Sequence, residues 1–376
     1  MLHHDRIARV QARMREQGID AYLILTHDDY IYLFGEDRYQ PRAIIPAVGE
    51  PIIITFRGEE DEVRSAFGLK DVKVFGTVGQ QIKDVVDSMR GLFQQGGHDG
   101  KMTVGVQMGF FTPAFLLNMF QKANPQVQVV SIAPVMDELR MVKSADEVAI
   151  MRRAADIADA GMRRATEVLR PGLTENEVGA EIEYAMRKAG GHGVATPVFV
   201  NSGIRSRWLH GTVTDKRIEA GDLVVIDLVP RYLGYCANLC RTFVVGKPTE
   251  DQRKIHAAYL KAQQTVRDNL KPGMKVKQLD DLAKAVFTES GYGDYFVFGI
   301  SHSIGLMFEE TPAPTIHPAD GNVEIRTGMT LTIGHSILAV PEVGGVRLED
   351  TYYLAEGGLQ QLTHASVELE LPIAVC

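Results

Sequence analysis

The stretch GDLVVIDLVPRYLGYCANLCRTFVVG, residues 221–246, is the part of this chain that decides its fold. Its apolar run Leu223 to Val229 predicts a buried strand, and Pro230 to Gly234 predict the turn into a returning strand. Asp227 and Asn238 lie eleven residues apart. A hairpin of this kind sets their side chains across from each other. We therefore expect one carboxylate and one amide to share a buried polar site.

Five further segments, taken with this hairpin, resemble the creatinase, prolidase and aminopeptidase P family. They are LRMVKSADEVAIMRRAADIAD (139–159), SGIRSRWLHGTV (202–213), HSIGLMFEETP (302–312), GMTLTI (328–333) and GGVRLED (344–350). The resemblance implies an α/β (α+β) fold with a creatinase-like N-terminal α/β domain at 1–138. A pita-bread catalytic domain at 139–376 is expected to follow.

The resemblance also indicates where the metal ligands of the family fall in this sequence. The family uses two Asp, one His and two Glu, and the matching residues here are Asp227, Asn238, His302, Gly334 and Glu349. An amide and a glycine therefore replace two carboxylates. Half of the negative charge that would neutralise two divalent ions is missing, since hard cations need anionic oxygen ligands.

We therefore expect no cofactor and no metal pair. The alternative is one divalent ion, such as Mn²⁺ or Co²⁺, held by Asp227, His302 and Glu349, with His335 as a candidate substitute ligand next to Gly334. Restoring carboxylates with Asn238→Asp and Gly334→Glu is expected to raise the affinity for such an ion.

His210 is the candidate for proton transfer, because the resemblance places it where creatinase has its proton carrier. Without that resemblance it would be read as a surface histidine in a basic loop. An unperturbed imidazole titrates near neutral pH, so one group can take a proton from water and return it to a leaving nitrogen. His302 is expected to donate a hydrogen bond to substrate, and Asn238 to complete the bonding.

Asp227 and Glu349 are expected to bind and polarise the cationic or amide part of a substrate through charge-assisted hydrogen bonds. The competing interpretation is a buried ion pair between Arg347 and a neighbouring acid, which would serve only the fold. Glu309 takes the place of a substrate-binding histidine of the prolidases. We count it and Arg347 among the substrate-binding candidates.

Cys240 follows Asn238 by two residues. A thiol there is a nucleophile only if its pKa is lowered. The more usual role of a strand cysteine is that of a small buried apolar residue.

The N-terminal segment YIYLFGEDRYQPRAII, residues 30–45, resembles the creatinase segment that enters the active site of the neighbouring subunit. Phe34, with Arg38 or Arg42, is the candidate for that role. An arginine suits it because a guanidinium binds a carboxylate with two parallel hydrogen bonds. This role requires a homodimer.

Composition narrows the classes of protein. The 376 residues carry a net charge of -8, and no concentrated basic face is visible in the sequence, which argues against nucleic acid as a partner. The charged N-terminus and the lack of long apolar runs predict a cytoplasmic protein with no membrane partner. The three cysteines do not have a zinc-binding spacing.

Local patterns predict several elements. An amphipathic helix is expected at 6–18, and strands at AYLILT, PIIITF, DVKVFG, KMTVGVQ and VQVVSI. Ser144 with Glu147, and Thr174 with Glu177, have the spacing of helix-capping boxes.

The sequence is thus interpreted as a creatinase-like hydrolase that cleaves a C–N bond in a small amide, amidine or guanidino compound without a metal pair. Three alternatives stay open: a prolidase-like Xaa-Pro dipeptidase with a reduced metal site, a lyase, and a non-catalytic binding protein on the same fold.

Overall fold

The computed structural model describes residues 3–38, 42–69, 71–97, 100–109, 112–297 and 299–371. The chain divides into two compact units, Met1–Leu139 and Arg140–Cys376.

The N-terminal unit is built on a six-stranded sheet with strand order β4-β3-β2-β1-β5-β6. Its strands are β1 (Ala21–Ile24), β2 (Arg42–Pro46), β3 (Ile52–Phe56), β4 (Val72–Phe75), β5 (Met102–Val106) and β6 (Val127–Ser131). Five of them lie in the segments predicted from alternating apolar residues. The prediction missed β2, which pairs antiparallel with both β1 and β3.

Helices surround this sheet in the order expected of an α/β unit. They are α1 (His4–Glu16), α2 (His27–Phe34), α3 (Glu60–Phe67), α4 (Val78–Gln95), α5 (Ala114–Ala123) and α6 (Ala133–Met141). The apolar core packs strand residues such as Leu23, Ile44 and Val104 against Met89 of α4 and Phe120 of α5. Burial of these side chains is the main stabilising term of the unit.

The C-terminal unit has two similar halves, each with a pair of helices and a three-stranded antiparallel sheet. The first half contains α7 (Ala145–Val168), α8 (Glu175–Lys188), β7 (Gly193–Val194), β8 (Phe199–Ser202), β9 (Leu223–Leu228), β10 (Pro230–Tyr232), β11 (Tyr235–Cys236) and β12 (Leu239–Val244). The second contains α9 (Glu250–Asn269), α10 (Lys277–Glu289), β13 (Thr330–Ile333), β14 (Leu338–Val340), β15 (Gly344–Val346), β16 (Asp350–Ala355) and β17 (Gly358–Gln361).

Each half has its own apolar core. In the first, Ile157 and Ile182 of the two helices pack with Val224 and Phe243 of the sheet β12-β9-β8. In the second, residues of α9 and α10 pack with those of the sheet β13-β16-β17. The halves meet where Cys240 and Glu349 exchange two backbone hydrogen bonds of 3.0 Å. This bridge joins β12 of the first sheet to the residue that precedes β16 of the second sheet.

The predicted hairpin is confirmed, with a change in its register. In the antiparallel pair β9 and β12, Cys240 lies directly opposite Asp227. Asn238 is therefore a diagonal neighbour of Asp227 on the same face, because side chains two residues apart on a strand point the same way. Its Nδ2 still donates a 2.7 Å hydrogen bond to Asp227 Oδ1.

Both predicted capping boxes are confirmed at the starts of α7 and α8. A third, Thr249 with Gln252, begins α9 and was missed. Within the described residues, no helix combines the length and the apolar character that a membrane crossing requires.

Ser144→Ala tests the capping box of α7. The variant loses the bond from Glu147 N to Ser144 Oγ. We expect the free energy of unfolding to fall by about 1 kcal/mol, as for other N-cap losses. The control is Thr265→Ala, because that hydroxyl bonds only a carbonyl of its own helix. Denaturant titration of both variants is the measurement, and equal effects would contradict the assigned cap.

Candidate active site

A buried guanidinium lies at the centre of the polar site. Arg347 is 3% exposed. Its Nη1 donates to Asp227 Oδ2 at 2.8 Å, and its Nη2 donates to Glu349 Oε2 at 2.5 Å. The structure thus shows the buried ion pair that the competing interpretation described. Buried charges are stable only when paired in this way.

Asp227 uses both of its carboxylate oxygens inside the protein. Arg347 occupies one, and the Asn238 amide donates to the other. Burial raises the pKa of Asp227, and the charge of Arg347 opposes that rise. Each oxygen of this carboxylate thus already accepts a hydrogen bond within the protein. Its predicted substrate-binding role, and that of Asn238, stay predictions.

His302 and Glu349 present two facing acceptors in the interior. His302 Nδ1 lies 2.9 Å from the carbonyl oxygen of Ser303, so this nitrogen carries the ring hydrogen and donates it. The neutral ring then has its lone pair on Nε2, which lies 3.4 Å from Glu349 Oε1. Both atoms are buried without a hydrogen-bond partner among the described residues. A cation, either a proton or a metal ion, is needed between them.

Glu309 and His335 complete the cluster. Arg347 Nη2 donates to His335 Nδ1 at 3.0 Å, so the hydrogen of the neutral ring lies on Nε2, which is 3.1 Å from Glu309 Oε1. Ligand atoms of His302, Glu309 and His335 all lie within 4.8 Å of one another. All three side chains are buried. His335, the candidate substitute ligand, therefore joins a group that could hold one metal ion.

The electrostatics of the cluster favour an ionised Glu349 and an unprotonated His335. Although burial opposes ionisation, Arg347 and the two imidazoles hold the pKa of Glu349 well below its usual range. Burial lowers the pKa of His335. Burial would also lower the pKa of His302, but its contact with Glu349 and the charge of Glu309 raise it.

No carboxylate side chain fits at position 334. Its φ is +114°, and an added Cβ would lie 1.7 Å from the carbonyl oxygen of Leu348. Any side chain at this position clashes with backbone. The expectation that Gly334→Glu helps rebuild the ligand set of the family is wrong for this reason.

Cys240 has the environment of a structural thiol. Its side chain is fully buried, opposite Asp227. Burial, followed by the charge of Asp227, raises its pKa well above the usual value. The thiolate needed for nucleophilic attack is therefore disfavoured.

His210 lies on an exposed loop, and its ring contacts Phe199, a neighbour of Asp227 in the sheet. Its ring is edge-on to that of Phe199, with centroids 6.4 Å apart, and Phe199 pairs with Asp227 across β8 and β9. Glu175 fixes the start of the loop by accepting hydrogen bonds from Ser202 and Arg205. Sequence reasoning missed Glu175, although the capping box at Thr174 marked the helix turn that carries it.

The three candidates in the N-terminal unit have partners of their own. Phe34 is fully buried and stacks on Tyr30, with ring centroids 4.7 Å apart. Arg38 pairs with Glu36 and Glu59. Arg42 is half-buried at the start of β2, and burial lowers its pKa. Residues 39–41 lie outside the described part. Phe34 thus belongs to the core of its unit, and the homodimer stays a prediction.

Comparison with known proteins supports the family resemblance. Residues 149–356 match the metallopeptidase family M24, and residues 6–142 match the creatinase/prolidase N-terminal domain. The chain belongs to metallopeptidase family M24. It is a hydrolase acting on C–N bonds, and its creatinase-like N-terminal domain and pita-bread domain are as predicted.

Its relatives include Xaa-Pro dipeptidases. The chain is 39% identical over 267 residues to that of Pyrococcus furiosus, which covers 71% of this chain and 75% of the relative. It is 32% identical over 371 residues to that of Pyrococcus horikoshii, covering 97% and 99%. The solved prolidase of Thermococcus sibiricus superposes with a TM-score of 0.88 at 26% identity, covering 98% and 99%.

These findings correct two expectations. The absence of a cofactor was the wrong prediction, since the chain belongs to a metallopeptidase family and has a buried group able to hold an ion. The creatinase-like reaction is also less well supported than its alternative, because the relatives named above are Xaa-Pro dipeptidases. The alternative ligand set of Asp227, His302 and Glu349 stays a prediction: Asp227 accepts a hydrogen bond from Arg347, whereas Glu309 and His335 lie beside His302.

Gly334→Ala tests the close approach of the Leu348 carbonyl. We expect the free energy of unfolding to fall by at least about 2 kcal/mol, because the strained φ and the backbone clash add. Gly357→Ala is the control, since a Cβ there meets nothing within 4 Å. Denaturant titration that finds the two variants equally stable would show that this backbone conformation is wrong.

Proposed function

We propose that this protein is a metal-dependent dipeptidase of the Xaa-Pro dipeptidase type, working with one divalent ion per chain. The observation that carries the proposal is the pair of buried acceptors, His302 Nε2 and Glu349 Oε1, which face each other at 3.4 Å without a donor. The similarity to the Xaa-Pro dipeptidases of Pyrococcus supports the peptide substrate.

The residues present fit one ion. His302 Nε2, Glu309 and the free Oε1 of Glu349 would hold it, while His335, whose Nδ1 accepts from Arg347 Nη2 at 3.0 Å, would keep its ring hydrogen towards Glu309. Imidazole nitrogens and carboxylate oxygens are ordinary ligands of divalent transition metals. When bound, such an ion polarises a peptide carbonyl and lowers the pKa of a bound water.

Arg347 keeps the carboxylates in place. Its two nitrogens hold one oxygen each of Asp227 and Glu349, so the free Glu349 Oε1 points towards the imidazoles. Rigid placement of this kind avoids reorganisation during the reaction. Arg347 is thus an internal cation that orients the acidic groups, and its predicted contact with substrate is not part of this proposal.

His210 is the proposed proton carrier. It is an exposed imidazole on a loop that is fixed at Glu175 and lies against Phe199. In this role its ring accepts a proton from the water that attacks the peptide carbonyl carbon, and it gives that proton to the leaving nitrogen as the C–N bond breaks. The remaining polar side chains of the site are buried, which favours a small substrate such as a dipeptide.

Metal removal tests the proposal. Dialysis against a chelator should abolish hydrolysis of Xaa-Pro dipeptides, and adding back about one ion per chain should restore it. Elemental analysis and a dipeptide assay are the measurements. Hydrolysis that survives complete metal removal would contradict the proposed reaction, and rebinding of one ion per chain without any peptide turnover would indicate a binding protein.

His210→Ala tests the proton carrier. We expect kcat to fall by a factor on the order of 10² to 10⁴ with unchanged stability, because a general acid–base group contributes about that much. His317→Ala is the matched control, since that histidine is also exposed. A His210→Ala variant that turns over dipeptides at the parent rate would exclude this histidine from proton transfer.

A further inference from the structure

We propose that Glu175 and Arg205 are positioning residues that hold the loop 203–213 closed and thereby fix the place of His210 for proton transfer. This segment is called the His210 loop below. The proposal rests on the proton transfer proposed above and adds the two groups that keep His210 in place. Their effect on the loop can be measured without any peptide assay.

Glu175 is a buried carboxylate that accepts hydrogen bonds from both ends of the His210 loop. It lies at the start of α8 and is fully buried. Its Oε1 accepts from the N and Oγ of Ser202, at 2.8 and 2.9 Å, just before the loop. Its Oε2 accepts from Thr214 Oγ1 at 2.7 Å, just after the loop. One carboxylate therefore joins the two ends of the loop.

The backbone of α8 holds the far end of the same loop. Glu175 N donates to Lys216 O at 3.0 Å, and Asn176 N donates to Thr214 O at 3.0 Å. These amides belong to the first turn of a helix, where no intrahelical carbonyl is available to them. The segment that follows the loop is thus attached to α8 by backbone and side chain together.

Arg205 connects the two sides of the His210 loop from within. Its Nε donates to both oxygens of Glu175, at 3.1 and 3.2 Å, and its Nη2 donates to Thr212 O at 2.6 Å. The guanidinium also lies over the ring of Trp208, 4.4 Å from the ring centroid. A planar group with fixed donor directions can make these contacts together. Because residues 205 and 212 flank His210, Arg205 closes the turn that carries this histidine.

The residue after His210 packs directly on the sheet. A Cβ added at Gly211 would lie 2.2 Å from Oδ1 of Asn201, a buried residue of β8. Phe199 lies two residues before Asn201 on this strand and therefore on the same face. The ring of His210 contacts that of Phe199. An opening of the loop would therefore change the distance between His210 and Phe199.

The ion pair of Glu175 and Arg205 is sensitive to substitution because both partners are desolvated. The side chain of Glu175 is fully buried, and that of Arg205 is 14% exposed. Removing one charge leaves the other in the interior without compensation. Glu175→Gln keeps the size of the side chain but replaces one acceptor oxygen with an NH₂ donor that faces other donors. This variant is therefore expected to loosen the His210 loop.

Amide hydrogen exchange of the full-length protein is the first experiment. In Glu175→Gln, amides of the His210 loop should exchange faster by a factor on the order of 10 to 10², because hydrogen bonds to a charged group are lost. The fluorescence anisotropy of Trp208, the single tryptophan of the chain, should fall as well. Glu183→Gln changes an exposed carboxylate of the same helix and should leave both unchanged. Parent-like exchange and anisotropy in Glu175→Gln would overturn the proposal.

Arg205→Lys tests the same contacts from the other partner and serves where Glu175→Gln does not fold. Lysine keeps the charge but has no planar fork, so it cannot bond Glu175 and the Thr212 carbonyl in the same geometry. We expect faster exchange in the His210 loop. Arg207→Lys is the matched control, because Nε of Arg207 has no hydrogen-bond partner among the described residues. Equal loop exchange in the two lysine variants would contradict the assigned role of Arg205.

A double-mutant cycle then connects the loop to His210. In the parent background, Glu175→Gln should lower kcat for an Xaa-Pro dipeptide by a factor on the order of 10 to 10², with little change in KM, because His210 leaves its working geometry. In the His210→Ala background, the same substitution should lower kcat by less than about twofold. Equal losses in both backgrounds would show that Glu175 does not act through His210 and would overturn the proposal.

The two kinds of measurement separate this inference from the proposed function. A parent protein that cleaves no dipeptide would disprove the proposed function. Faster loop exchange in Glu175→Gln and Arg205→Lys would still support their hold on the His210 loop, because exchange and anisotropy require no substrate.

Discussion

The ion pairs of Arg347 are the interaction on which the site depends. This guanidinium is buried and binds Asp227 in the first half of the C-terminal unit and Glu349 in the second. A buried charge without partners costs several kcal/mol. The two halves must therefore keep both carboxylates in place around it, and the backbone bridge between Cys240 and Glu349 holds the same junction.

One consequence is the position of the free ligand atoms. Because Arg347 uses one oxygen of Glu349, the other oxygen points at His302 and His335. Because Arg347 and Asn238 use both oxygens of Asp227, this residue no longer faces the cluster as a free anion. The buried side chains whose ligand atoms lie within 4.8 Å of one another are those of His302, Glu309 and His335, beyond the hairpin.

Gly334 shows how backbone geometry limits such a site. The left-handed φ and the nearby Leu348 carbonyl leave no room for a side chain. The strand β13 ends one residue before it, and His335 follows immediately. A carboxylate beside His335 therefore has to come from another segment, as that of Glu309 does. Glu309 and the segment at Gly334 come together only in the folded protein, and their spacing along the sequence does not indicate it.

The sequence by itself determined the hairpin, two of the helix-capping boxes and five strands of the N-terminal unit, because apolar periodicity and capping are local properties. It missed β2, a short apolar run that starts at Arg42 and ends at Pro46, where a proline weakens the strand signal. Family resemblance pointed to His302 and Glu349. Only the tertiary structure decided that Arg347 pairs with Asp227 and that Glu309 contacts His335. Both contacts join segments that are distant in the sequence, and their distances depend on packing.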